Sequence, residues 1–142
     1  MPRLLIDANI FLELELSQSK SADCKAFLSD VQKGRIKATT TDFILDSVAV
    51  VMESHSLPAS DIGRFFSSLI MYKGLLIHNL DLNGRVMAAE AMNASGIDFD
   101  DATSIATMMR LGIKKVVSFD RDFDKVRKIS RIEPKEALAP HF

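Results

Sequence analysis

The residues of this chain best equipped for chemistry are carboxylates standing where apolar side chains would be expected. Asp7 closes the short apolar run RLLID, and Asp120 closes a second one, KKVVSFD. An acid at the end of a buried strand either caps the following helix or faces a site; two at one edge of a single sheet favour a site. Asp46 lies inside FILDSVAVVM, among Phe43, Ile44, Leu45, Val48, Val50, Val51 and Met52. It is too far along the predicted helix to cap it, and burying an unpaired carboxylate is expensive. Two readings fit it: Asp46 meets a cation or a solvent gap, or it belongs with Asp42 and Glu53 to a solvated stripe at helical spacing. Asp42, in the first turn, is explained by the helix dipole. In IDFDDATSIATMM, Asp98, Asp100 and Asp101 crowd one helix start. One can cap and a second can complement the dipole, but three so close repel one another, and a cation would relieve them. The buried stripe Ala102, Ile105, Ala106 and Met109 makes its neighbour Asp101 the acid best placed to point inwards, with Asp98 or Asp100 left as the cap.

Hard oxygen donors of this kind suit Mg²⁺ or Mn²⁺. With 1 Cys and 3 His, the chain has no set of soft or imidazole ligands for zinc. His55, His78 and His141 show no partner pattern. Carboxylates holding a dication are common equipment for phosphodiester cleavage, because the ion lowers the pKa of a bound water and offsets charge developing on the phosphate.

Such acids must be held by a frame, and the pattern of the chain supplies one. Strands are predicted at 3–7, 36–40, 75–79 and 114–119, with a weak one over 129–132. Helical segments are predicted at 19–33, from Thr41 through Ser54, from Pro58 through FFSSLIMY to Gly74, from Asp81 through Met92 and at 99–111, with a helical turn at 121–128. Gly34, Gly96 and Gly112 stand where helices should stop. Strands that alternate with helices and lack hairpin dipeptides indicate β-α-β units around a mostly parallel sheet. Crossover handedness places helices on both faces. In such sheets reactive groups gather at the carboxyl ends of the strands, where Asp7 and Asp120 fall.

The 142 residues, 47% hydrophobic and 26% charged, suit one domain with a real core. Repeats, low-complexity tracts and linkers are absent from the sequence, which is read as a single domain over 1–142 with a short tail from about 134. No run approaches the length of a membrane span, and Asp7 interrupts the apolar N-terminus before it could serve as a signal peptide. A cytoplasmic location without membrane association is therefore expected. Cys24 lies on the stripe Cys24, Phe27, Leu28, Val31, which makes it a buried structural thiol. The net charge of −1 excludes attachment to nucleic acid by bulk charge alone. It conceals a skew, however, since residues 110–135 carry nine basic side chains against four acidic ones. A solvated surface is the ordinary meaning of such a run; beside an acidic pocket it could also steer a phosphate backbone, with Arg121 between two acids the best candidate.

These residues resemble a known family. LIDANIF, with Asp7 then Asn9, is similar to the opening motif of PIN-domain nucleases, and DDATSIATMMRLGIKKVVSFDRDFD is similar to their closing half. The resemblance runs through residues 3–123 and is strongest to the compact VapC type, the toxin ribonucleases of toxin–antitoxin pairs, or a stand-alone relative. It implies a three-layer α/β/α sandwich with a central, mostly parallel sheet of four to five strands. It implies an acidic pocket for one or two Mg²⁺ or Mn²⁺ ions, RNA as substrate, an antitoxin protein as partner, and a homodimer through helices such as those containing FFSSLIMY and VMAAEAMNA. Matched residue by residue, Asp7, Asp101 and Asp120 would be catalytic metal ligands, with Asn9, Ser118 and Asp122 in support. Asp46 falls where the family commonly has glutamate; being one methylene shorter, it would act as a ligand or through a water. The alternative is a PIN-like module without catalysis that binds RNA or protein. Phosphatases of the haloacid dehalogenase type are excluded, since they need Asp-x-Asp-x-Thr where this chain has Asn9 and Phe11.

Overall fold

A computed structural model describes residues 3–138. Five strands form one sheet: β1 (Leu4–Ile6), β2 (Ala38–Thr41), β3 (Leu75–His78), β4 (Lys115–Val117) and β5 (Ser130–Ile132). Their order is β3-β2-β1-β4-β5, and every neighbouring pair is parallel. Six helices cover the two faces, making the three-layer α/β/α sandwich: α1 (Ala8–Glu15), α2 (Ser21–Gln32), α3 (Asp42–Ser54), α4 (Ala59–Ile70), α5 (Leu82–Ser95) and α6 (Phe99–Leu111).

The period of two along a strand divides the core. Ile6 and Val117 turn to one face and pack in a cluster with Ile10 and Phe11 of α1, Phe27 and Val31 of α2 and Val48 of α3. Leu5 and Val116 turn to the other, against Ala88 of α5 and Ala102, Ile105 and Met108 of α6. β1 and β4, at the centre, are thus apolar on both sides, as a buried parallel sheet requires. Cys24 is fully buried in the first cluster, and burial, with Glu13 and Asp23 adding to it, pushes its thiol up to about 12. That is the structural thiol its stripe foretold.

Helix boundaries follow local chemistry. α6 ends at Gly112 (φ 70°) and α5 at Gly96 (φ 69°), both left-handed caps that cost glycine little. Asp98 stands at the N-cap of α6 and Asp81 at that of α5, where the Asp81 carboxylate accepts from the Gly84 amide at 2.7 Å. The C-terminal segment departs from expectation. From Pro134 to Ala137 it forms a 3₁₀ turn closed by a reciprocal Glu133–Glu136 capping box. Ala137 and Leu138 pack against the first core cluster, so residues 134–138 are docked and do not trail off. The rest of the expected tail, His141 included, lies outside the described residues. Among the described residues no helix is long and apolar enough to cross a membrane.

Candidate metal centre

The register of the two central strands builds the site. Ile6 pairs with Val117, so the residues that follow, Asp7 and Ser118, leave the sheet side by side. The Asp7 amide still donates to the Val117 carbonyl at 3.1 Å, which extends the pairing by one step. Asp7 is the N-cap of α1, and its Oδ1 accepts from the Ala8 amide at 2.9 Å. Its Oδ2 accepts from Ser118 Oγ at 2.6 Å and from Asn9 Nδ2 at 3.2 Å. Asn9 Nδ2 also donates to Ser118 Oγ at 3.1 Å, and Asn9 Oδ1 accepts from the Phe119 amide at 3.3 Å. Ser118 Oγ in turn accepts from the Asp120 amide at 3.0 Å. One serine hydroxyl therefore links the acid after β1 to the acid after β4. Asp7 is buried, and desolvation raises its pKa above the ordinary range; the bonds from Ser118 and Ala8 oppose that rise, and the Asp120 and Asp100 charges add to it.

The second part of the site comes from the start of α6 and from a 3₁₀ turn, Arg121–Lys125, that follows β4. Carboxylate oxygens of Asp101, Asp120 and Asp122 all lie within 4.8 Å of one another. Asp101 is 6% exposed, whereas its neighbours Asp98 and Asp100 face solvent. Burial, followed by the charges of Asp7, Asp100 and Asp120 and a hydrogen bond with Asp120, raises the Asp101 pKa to about 8. Asp120 caps the 3₁₀ turn by accepting from the Asp122 amide at 2.9 Å, and Lys125 Nζ pairs with Asp122 Oδ1 at 3.2 Å.

The donor set fits a hard dication. Among the described residues the cluster is made only of carboxylates, three within reach of one ion, and its most buried member is pushed up to about 8 first by burial and then by the like charges around it. Asp7 lies next to this group and acts on it electrostatically. Asp122 belongs with the clustered acids, closer in than the supporting place its motif suggested; the Asp-x-Asp spacing over 120–122 was the available signal.

Asp46 is not brought in. It is exposed on α3, outside the cluster and absent from the charges that act on Asp7 and Asp101. Its neighbours Ile44, Leu45 and Val48 turn inwards while it turns out, in keeping with the solvated face of an amphipathic helix. Asp42 does more than complement a dipole: its Oδ1 accepts from the Phe43 amide at 2.8 Å and from the Leu80 amide at 2.9 Å, tying the exits of β2 and β3 together.

The basic run also divides. Arg121, Arg127 and Lys128 are exposed, while Lys125 is paired with Asp122 and Arg110 with Asp81. Arg131, read in the sequence as one more surface cation, has a side chain only 12% exposed, directed into the loop beneath the acids.

Comparison with known proteins agrees with this architecture. The PIN domain family profile matches residues 4–129, and the chain belongs to that family. Among solved structures it is similar to Mycobacterium tuberculosis VapC20, a sarcin-ricin loop cleaving toxin, with 17% identity and a TM-score of 0.70 over 87% of this chain and 98% of that one. A toxin-antitoxin complex from Klebsiella pneumoniae gives 15% identity and a TM-score of 0.67 over 92% and 97% of the two chains. VapBC2 from Rickettsia felis, bound to a DNA fragment from its promoter, gives 12% and 0.65 over 92% and 98%. At these identities the likeness is one of fold. No curated protein matches the chain.

Proposed function

We propose that this chain is a Mg²⁺- or Mn²⁺-dependent ribonuclease, the toxin of a type II toxin–antitoxin pair acting on RNA in the cytoplasm. The observation that carries the reading is the Asp101–Asp120–Asp122 cluster beside Asp7, at the carboxyl edge of a parallel sheet in a PIN domain. The fold shared with VapC20 and with two toxin–antitoxin complexes supports the assignment as a toxin with an antitoxin partner. We take residues 1–142 as a single domain. Exposed Ile70 and Met71 at the end of α4, and Leu76 and Ile77 on the outermost strand β3, are surfaces that a homodimer would cover.

Asp7, Asp101 and Asp120 would hold one or two ions, and Asp122 completes the set. A dication held there would supply the charge to polarise a phosphoryl oxygen and to lower the pKa of a water. The chain's own residues do the positioning. Ser118 and Asn9 fix the Asp7 rotamer by donating to the oxygen that the Ala8 amide leaves free. Asp101, whose pKa burial and the neighbouring charges raise to about 8, would give up its proton to serve as a ligand. Arg121, exposed between two of the acids, would meet the RNA backbone. Asp46, on the exposed face of α3, would contribute only through an intervening water.

The test is incubation with a panel of labelled RNAs, with Mg²⁺, with Mn²⁺ and with chelator, beside Asp101→Asn. Cleavage that needs the metal and is lost in the variant is the expected result. RNA binding without cleavage under every condition would instead establish the non-catalytic module.

A further inference from the structure

We propose that Arg131 is the positioning residue that fixes the Asp120 and Asp122 carboxylates at the candidate metal centre. The proposal rests on reading that cluster as a metal site. Arg131 lies on the edge strand β5, beside β4. Its guanidinium forks onto Asp124, with Nε to Oδ1 at 3.1 Å and Nη2 to Oδ2 at 3.3 Å. Nη1 donates to the Ser118 carbonyl at 3.1 Å and to Glu133 Oε2 at 3.4 Å. A single side chain thus holds both ends of the segment Ser118–Asp124, and the two loop acids of the cluster, Asp120 and Asp122, lie between those ends.

The loop needs such a clamp. Three carboxylates within 4.8 Å repel one another, and two of them ride on one short 3₁₀ turn, a form with poor hydrogen-bond geometry. The turn's other ties are the Asp120 carboxylate on the Asp122 amide, the Lys125–Asp122 ion pair, the Ser118 hydroxyl on the Asp120 amide and the buried Phe123 ring beneath. The Ser118 hydroxyl ties the start of the loop only as far as Asp120; the Arg131 fork carries the tie on past Asp122 to Asp124. Its charge is already met by Asp124 and Glu133, so Arg131 acts on the site by holding backbone and not by neutralising the acids. Lysine would keep the charge but offers a point contact in place of a planar fork, and cannot grip Asp124 in two places while reaching the Ser118 carbonyl.

The experiment compares the full-length protein with Arg131→Lys, Arg131→Gln and Lys114→Gln. Lys114→Gln removes the same charge from an exposed position just before β4. Mn²⁺ affinity is measured by the paramagnetic resonance of free Mn²⁺, folding by urea denaturation, and RNA cleavage across a Mn²⁺ series. In Arg131→Lys and Arg131→Gln, Mn²⁺ affinity should fall about 10- to 100-fold, as for loss of a group that orients a metal ligand. The Mn²⁺ concentration for half-maximal cleavage should rise in step, with most of the maximal rate regained at saturating Mn²⁺. Lys114→Gln should bind Mn²⁺ as the parent does. Should the Arg131 variants fail to fold, Asp124→Asn, which frees one end of the clamp alone, is expected to weaken Mn²⁺ in the same direction. An Arg131→Lys protein that binds Mn²⁺ as tightly as the parent would overturn the proposal, as would an unchanged Asp124→Asn where that variant stands in. A parent that binds Mn²⁺ but cleaves no RNA would sink the ribonuclease reading and leave this one standing. A parent that binds no Mn²⁺ would end both.

Discussion

The carboxyl edge of the sheet has two halves, and the same residue type behaves differently in each. Where β2 and β3 end, Asp42 accepts from the Phe43 and Leu80 amides and so joins two strand exits. Where β1 and β4 end, Asp7 also joins two exits, but it does so through a serine hydroxyl, and more acids gather beside it. A carboxylate satisfied by backbone amides in this way is structural. Carboxylates that face one another, with the most buried member pushed up to about 8 by burial and by its neighbours' charges, are ones whose repulsion a cation would relieve. Counting acids at a sheet edge does not separate the two cases. The like charge that each acid meets does.

The largest effect that would break or sharpen this contrast is expected at Asp101. Asp101→Asn should lower metal-dependent RNA cleavage by more than the roughly 10- to 100-fold that follows loss of a ligand's hydrogen-bond partner. The same change should leave the metal-free protein more stable at pH 8.5, since it removes a repelled, buried acid. Its pH dependence fixes the sign. The unfolded carboxyl loses its proton near its ordinary value of 3.8, and the folded one keeps its proton to about 8. Between those values the folded state binds the extra proton, so the stability of the metal-free protein should fall as pH rises and level off above about 8. Urea denaturation at pH 5, 7 and 8.5 reads this directly. A flat profile in the parent, or an equally steep one in Asp101→Asn, would contradict the origin given for the shift.

Ser118→Ala comes next. Removing the hydroxyl that joins Asp7 to the Asp120 loop should weaken Mn²⁺ binding and cleavage about 10- to 100-fold. It should also move the Asp7 pKa further up, because the Ser118 bond is what opposes desolvation most. On the other half of the edge, Asp42→Ala should cost about 1–3 kcal/mol of stability by leaving two amides without their acceptor. Cleavage per folded molecule should not change; a hundredfold loss there would place Asp42 in the site and undo the comparison. The smallest effect is expected at Asp46→Asn, with cleavage within about twofold of the parent and stability within about 0.5 kcal/mol, as for exposed positions.

Much of the frame could be read from the sequence because its signals were local. α6 runs from Phe99 to Leu111 as expected, since Asp98 and Gly112 mark its ends in the residues themselves. Apolar runs located β1, β3 and β4 for the same reason, although only β1 and β4 turned out to be buried. What escaped depended on contacts distant in sequence. KKVVSF was expected to be extended through 119, but β4 stops at Val117 as Ser118 turns to Asp7 and the Phe119 amide turns to Asn9. The cap at Asp7 was legible, although the extent of α1 was not, because Glu13 and Glu15 break its apolar stripe. Within a run of basic residues nothing distinguished Arg131 from Arg127 or Lys128. Its inward direction depends on Asp124, Glu133 and a carbonyl on the neighbouring strand. Asp46 could not be settled from sequence, since a solvated stripe and a lone inward acid share the same helical spacing.

Catalysis by this protein would depend on a dication bound at the Asp101–Asp120–Asp122 cluster. Anomalous diffraction from crystals soaked in Mn²⁺ tests it most directly. An anomalous peak among these three carboxylates, beside Asp7, is expected, and it should be lost in Asp101→Asn. A parent protein that cleaves RNA in Mn²⁺ yet shows its peak elsewhere, or shows none here, would contradict it.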